Sequence, residues 1–149
     1  MRRPKPVVGW REWLELPDLG VAAVKAKVDT GARSSSLHAY GIERFRQNGR
    51  SMVRFAIHPL QRHARPELIA EAEVIDERTV RNPGGRSERR PVISTHVGLA
   101  GITWPVEINL TTRDEMGFRM LLGRQAVRGR FVVDPGRSYL AGRTPPPSQ

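Results

Sequence analysis

The stretch Val28-Asp29-Thr30-Gly31-Ala32-Arg33-Ser34-Ser35 holds the residue types best suited to chemistry. An apolar, β-branched run ends in a lone carboxylate, followed by a threonine and a glycine that permits a sharp bend. That order presents Asp29 at the mouth of a cleft, where a carboxylate can take or give a proton. Taken alone, Asp-Thr-Gly is a common triplet and reads first as an aspartate capping a turn. Ser34-Ser35-Ser36 and His38 add hydroxyls and an imidazole just behind it. No Gly-x-Ser-x-Gly elbow surrounds them, so they read as a polar loop behind the Asp29 turn.

A second segment shifts the balance. About 90 residues later, Leu121-Leu122-Gly123-Arg124 joins an apolar strand to a glycine and an arginine. The two segments, in this order and at this separation, resemble the retropepsin family over about Val21 to Val133. In that family an Asp-Thr-Gly-Ala strand end is followed late in the chain by an apolar-apolar-Gly-Arg segment that opens a short helix. The resemblance is closer to a bacterial branch often labelled "ATP-dependent zinc proteases". It is carried by Gly9-Trp10-Arg11-Glu12, Lys25 to Arg33, Arg78-Thr79-Val80-Arg81, Arg89-Arg90-Pro91-Val92-Ile93, Leu122-Gly123-Arg124 and Val133-Asp134-Pro135. Some members of that branch are encoded beside an ATP-grasp ligase that adds glutamates to proteins, and have been linked to oligoglutamate.

The resemblance implies an aspartic endopeptidase in which Asp29, Thr30 and Gly31 are catalytic, Ala32 binds substrate, and Leu122, Gly123 and Arg124 are structural. It also implies that Thr30 hydrogen-bonds across a two-fold axis and that Arg124 pairs with a carboxylate or with backbone carbonyls. The chemistry needs two carboxyls about 3 Å apart sharing a proton, one activating a water and the other protonating the scissile carbonyl. The chain has five aspartates (18, 29, 76, 114 and 134) and a single Asp-Thr-Gly. The second carboxyl must then come from Asp29 of another copy, which makes the expected assembly a homodimer. Retropepsins close a hairpin flap over the substrate, and the candidate here is Arg78 to Arg90 with its tip at Pro83-Gly84-Gly85. Its arginines (78, 81, 86, 89 and 90) suit an acidic peptide. Arg81, Gly84, Gly85 and Arg86 are the expected substrate contacts, with the hairpin at Gln47-Asn48-Gly49 as a rival flap.

These residues need a scaffold of short strands. Strand-like runs cover 7–10, 11–16, 21–28, 42–46, 51–57, 71–80, 89–97, 102–110, 120–123 and 131–134. Pro17 to Gly20 reads as a turn, Gln47-Asn48-Gly49 as a hairpin turn, 59–70 as a loop and 124–128 as one helical turn. The expectation is an all-β, closed acid-protease-like barrel with one short C-terminal helix, completed by homodimerisation. Its domain runs over 7–140, between a flexible basic stretch at 1–6 and a disordered, proline-rich tail at 141–149.

Composition bounds the alternatives. The 149 residues include no cysteine, which excludes disulfides, thiolate nucleophiles and cysteine-bound zinc. The four histidines (38, 58, 63 and 96) form no His-Glu-x-x-His pair, and Gly84-Gly85-Arg86-Ser87 lacks the end of a phosphate loop. No metal and no cofactor are expected. The absence of an apolar leader or a spanning run points to a cytoplasmic protein without a membrane partner. The net charge of +10 rests on 22 arginines and three lysines. It fits an Arg-favouring genome or an acidic partner: a peptide, polyglutamate included, or a nucleic acid. Scarce aromatics, with Trp10, Trp13 and Trp104 read as core or dimer contacts, argue against nucleic acid. The alternative to a peptidase is an inactive barrel that binds peptides or a polyanion such as RNA.

Overall fold

The structure is a computed structural model that describes residues 4–59, 67–81, 84–112 and 117–142. Alternation of apolar and polar residues sets its strands. In β2 (Arg11–Leu16), Glu12, Leu14 and Leu16 point inward, and in β3 (Val21–Asp29) Val24, Ala26 and Val28 do so. Lys25, Lys27 and Asp29 therefore share the opposite face of β3. The other strands are β1 (Val7–Gly9), β4 (Ser35–His38), β5 (Tyr40–Gln47), β6 (Arg50–Ile57), β7 (Leu68–Glu73), β8 (Asp76–Arg81), β9 (Ser87–Leu99), β10 (Ile102–Thr111), β11 (Met120–Gly123) and β12 (Val132–Asp134). The helix α1 (Arg124–Val127) follows β11 without a break.

The strands run β10-β4-β11-β3-β2-β9, and β9 pairs back with β10. Six strands thus close into a barrel within one chain, with β8 appended to the outside of β9. Its interior is filled by Leu14, Leu16, Val24, Leu37, Ile93, Ile108, Leu110 and Leu122, all essentially inaccessible. A three-stranded sheet, β5-β6-β7, and a parallel pair, β1-β12, complete the architecture. The β5–β6 turn places Asn48 at φ 54° and Gly49 at φ 77°, the left-handed pair that a tight two-residue hairpin requires.

Three expectations change. Ser35 to His38 is strand β4 inside the barrel, not part of a polar loop. The run 71–80 is two strands: the Val74 amide donates to Ser51 O at 2.8 Å and the next amide, Ile75, to Val92 O at 2.9 Å. Adjacent amides thus serve different sheets, and the chain crosses from one to the other there. Leu68 to Ala70 belongs to β7 rather than to a loop. Residues 60–66 of that loop, 1–3 of the basic stretch and 143–149 of the proline-rich tail lie outside the described residues.

The buried carboxylate of Glu12 organises the region next to β1. It accepts hydrogen bonds from the amides of Gly9 (2.7 Å), Leu140 (2.8 Å) and Ala141 (3.1 Å). Segment 140–141 is thereby fastened to the start of β2.

Candidate active site

Parallel pairing of β3 with β11 sets Gly123 directly beside Asp29 at the end of both strands. Beyond Asp29 the chain turns tightly, with the Ala32 amide donating to Asp29 O at 3.2 Å. The Gly31 amide donates to Asp29 Oδ1 at 3.0 Å, fixing the carboxylate at the turn. A methyl at Gly31 would lie 3.2 Å from that same oxygen. That contact is tight, and the carboxylate would have to yield by a few tenths of an ångström to admit the methyl, while no left-handed φ calls for glycine here. The Asp29 side chain is one quarter exposed, and the Lys27 ammonium lies 3.9 Å from its Oδ2.

The segment after β11 straps this turn in place. The Arg124 amide donates to Ala32 O at 2.7 Å and the Gln125 amide to Arg33 O at 3.2 Å. These are first-turn amides of α1, which lack acceptors within their own helix. The Gly123 amide donates to Ser35 Oγ at 3.0 Å, and Arg124 Nη1 donates to Thr30 O at 3.1 Å. A methyl at Gly123 would sit 2.3 Å from Ser34 O, so only glycine lets the two backbones touch. Leu122 is fully buried and anchors the segment in the core. Thr30 is exposed, and its side chain has no hydrogen-bond partner among the described residues of one chain.

The Arg78 to Arg90 hairpin is β8 and the start of β9, with Arg81 opposite Ser87. Arg81, Gly84, Gly85 and Arg86 are all exposed at its connecting end, while Pro83 lies outside the described residues. The five arginines do not form one basic arm, which corrects the reading from sequence. Arg90 is 1% exposed, donating to Glu88 Oε2 at 2.9 Å and Asn109 Oδ1 at 3.0 Å. Its length carries the guanidinium into a buried polar niche rather than to solvent. Arg78 pairs with Asp76 and Glu107, and Arg89 with Glu77. The rival hairpin at Gln47-Asn48-Gly49 belongs to the separate three-stranded sheet. Its β6 arginines face β7 glutamates, Arg54 with Glu71 at 3.6 Å and Arg50 with Glu73 at 3.8 Å.

His38 is buried on β4. Its Nδ1 accepts from Arg119 Nη1 at 2.9 Å, which leaves Nε2 as the donor to Thr112 O at 2.9 Å. His96 pairs with Asp18 and His58 with Glu67. Among the described residues no three histidines, aspartates or glutamates gather as a metal site. A cavity of about 340 Å³ opens beside the turn, between Ser34, Arg78, Trp104, Glu107, Gln125 and Arg130.

Two contributors were not read as such from the sequence. Ser35 looked like one serine of a polar loop, and nothing local signals that its hydroxyl receives the Gly123 amide. Lys27 was visible as a cation on one strand face, and strict alternation from Asp29 is the signal that puts it beside the carboxylate.

Comparison with known proteins agrees with this geometry. A family model described as RimB-like, retropepsin-like aspartic endopeptidase RimB, matches residues 7–144. A probable alpha-L-glutamate ligase of Shewanella pealeana is 45% identical over 138 residues, and one of Parasynechococcus marenigrum is 46% identical over 138. Each alignment takes in 93% of this chain but only 30% of the relative, so the chain spans under a third of those proteins. The crystal structure of a Legionella pneumophila protein of unknown function superposes with a TM-score of 0.77 at 28% identity, covering 93% of this chain and 99% of that one. With the family model matching nearly the whole of it, the chain belongs to the RimB-like family of retropepsin-like aspartic endopeptidases.

Proposed function

We propose that this chain is an aspartic endopeptidase that works as a homodimer, with a water activated between the two Asp29 carboxyls. The observation that carries the reading is the strapped turn. Asp29 sits at a strand end, held by the Gly31 amide and locked through Gly123 and Arg124. One copy supplies one such carboxylate; two copies related by a two-fold axis supply a pair that shares a proton. The ionised member takes a proton from water as the oxygen attacks the peptide carbonyl, and the protonated member donates to the carbonyl oxygen. The exposed Thr30 hydroxyl is the proposed bond across the axis, and Ala32 and the hairpin residues Arg81, Gly84, Gly85 and Arg86 are the proposed substrate contacts. The catalytic unit is the 7–140 segment, and it needs no metal or cofactor for this route.

Acidic, glutamate-rich peptides are the proposed substrates, and the cytoplasm the proposed compartment. The charge of +10 favours such peptides, and the curated relatives carry the matched segment within longer proteins named as glutamate ligases. A hydrolase joined to such a ligase has a natural object in the glutamyl chain the ligase builds. The RNA-binding alternative is weakened because the β6 and hairpin arginines are largely matched by glutamates and an aspartate instead of forming a continuous basic face. The test is cleavage of oligoglutamate-tailed peptides, followed by mass spectrometry, for the wild type and Asp29→Asn. Cleavage should fall to background in the variant, and sedimentation should show a dimer. Undiminished cleavage by Asp29→Asn refutes the reading.

A further inference from the structure

The cavity of about 340 Å³ beside the Asp29 turn takes no part in the hydrolysis proposed above. One side of it is the strap itself, through Ser34 and through Gln125 and Ala126 of α1. β10 supplies Trp104 and Glu107, and Arg78 and Arg130 complete the charged lining. The Trp104 ring is a fixed surface. It is 4% exposed, its Nε1 donates to Ala126 O at 3.1 Å, and Phe131 packs on it with centroids 5.2 Å apart. The Arg130 guanidinium lies over that ring, 5.7 Å from its centroid.

The charges lining the cavity do not cancel. Arg78 is matched by Glu107 and also reaches Asp76. Arg130 meets no carboxylate and no side-chain hydrogen-bond partner among the described residues. The side chains of Gln125 and Ser34 likewise have no hydrogen-bond partner among the described residues. A guanidinium, an amide and a hydroxyl therefore share one cavity with an indole ring, and one positive charge is in excess.

We propose that this cavity is a binding site for one small carboxylate on a short apolar stem, an acidic amino acid either free or within a peptide. Arg130 is the anion partner, because its planar fork matches a carboxylate through two parallel hydrogen bonds. One face of that fork is turned to the indole, so water screens the attraction less than it would around an arginine in bulk solvent. Trp104 covers the methylenes of the stem, and the Gln125 amide and Ser34 hydroxyl supply further donors. The volume fits this occupant: small-ligand sites begin at about 300 Å³, which admits an amino acid but no folded partner. The bound molecule rests on α1, whose amides hold the Asp29 turn. The site goes beyond the proposed hydrolysis and does not depend on it.

The experiment titrates the protein with three probes: glutamate capped by acetyl and amide groups, glutamine capped in the same way, and free glutamate. None joins two amino acids, so hydrolysis does not interfere. The readout is the indole N–H signal of Trp104 by NMR. The chain has three tryptophans (10, 13 and 104), and Trp10→Phe and Trp13→Phe assign the third by elimination. Capped or free glutamate should shift the Trp104 signal saturably, and capped glutamine should bind at least about tenfold more weakly than capped glutamate. Arg130→Met should weaken glutamate binding by about ten- to a hundredfold, the range for a hydrogen bond to a charged group, and Arg130→Lys by less. A melting curve of Arg130→Met checks that the fold persists. Tighter binding of free glutamate assigns the site to a free amino acid, and tighter binding of the capped form assigns it to a peptide residue. A Trp104 signal indifferent to both glutamate probes overturns the assignment. So does an Arg130→Met affinity equal to that of the wild type, or capped glutamine binding as tightly as capped glutamate. Asp29→Asn should bind the probes as the wild type does. If Trp104 responds while the wild type cleaves nothing, the peptidase reading fails and the carboxylate site stands. If cleavage depends on Asp29 but Trp104 stays silent, the reverse holds.

Discussion

Replacing Gly123 by alanine should damage the site through one identifiable collision. The backbone there has φ −87° and ψ 174°, an extended conformation open to any residue, so no torsional cost arises. The added methyl carbon would lie 2.3 Å from Ser34 O, 2.5 Å from Ser34 C and 3.0 Å from Ala32 O. Ordinary contact needs about 3.5 Å, so the 32–34 backbone must retreat by roughly 1 Å. That retreat works against the Arg124–Ala32 (2.7 Å) and Gln125–Arg33 (3.2 Å) bonds that hold the turn. Overpacking of this kind costs about 1–3 kcal/mol. For a chain of this length that is a fall in Tm of about 3–10 °C. A displacement of about 1 Å at the reacting group also costs about a hundredfold in rate. Thermal melts and peptide cleavage should be measured together, with Gly136→Ala as a control, since a methyl there meets only Asp134 Oδ1 at 3.5 Å. Wild-type melting and wild-type cleavage in Gly123→Ala would refute the strapping argument.

Arg124→Met removes the donor to Thr30 O but not the backbone straps. Cleavage should fall by about tenfold or more, while Tm moves little, because the exposed side chain contributes little to stability; equal losses in both would refute that division. Glu12→Gln leaves one oxygen to accept from three amides and should destabilise the fold by about 1–3 kcal/mol in urea titrations. Asp18 has its pKa lowered, first by the His96 amide and then by the His96 ring, both hydrogen-bonded to its carboxylate. Its folded pKa lies below the unfolded value, so its stabilisation is present above that value, near 3.8, and is lost as pH falls through the folded pKa. Asp18→Asn should therefore flatten the acid limb of the stability curve below that value, and an unchanged limb in thermal melts at stepped pH would count against it.

Legibility in the sequence followed local rules. Asn48-Gly49 announced its hairpin because the left-handed pair is a property of those two residues. Strand β3 and its carboxylate end were readable because alternation is unbroken from Val24 to Asp29. The straps around Asp29 were legible only through the resemblance carried by Leu122-Gly123-Arg124, since their bonds join residues about 90 positions apart. Strand β4 escaped because its polar side chains are satisfied by distant partners: Ser36 Oγ donates to Asn109 Oδ1, and Ser35 Oγ accepts from Gly123. From sequence, serines without visible partners read as loop. Arg90 escaped for the same reason, since burying it depends on Glu88 and Asn109 converging on one guanidinium. The crossing at Val74-Ile75 was invisible because that apolar, β-branched pair reads as the middle of one strand, and which sheet each flank joins is settled by partners elsewhere.

Because β8 lies outside the closed ring, none of the barrel's own rungs depends on it. One side of β8 is laddered to β9. Across the gap to β5, Arg44 grips Glu77 through two hydrogen bonds, a clasp made of surface charge. Such a clasp loosens as dissolved ions screen it. The tie between the two sheets should therefore weaken as ionic strength rises, while the barrel beneath stays shut.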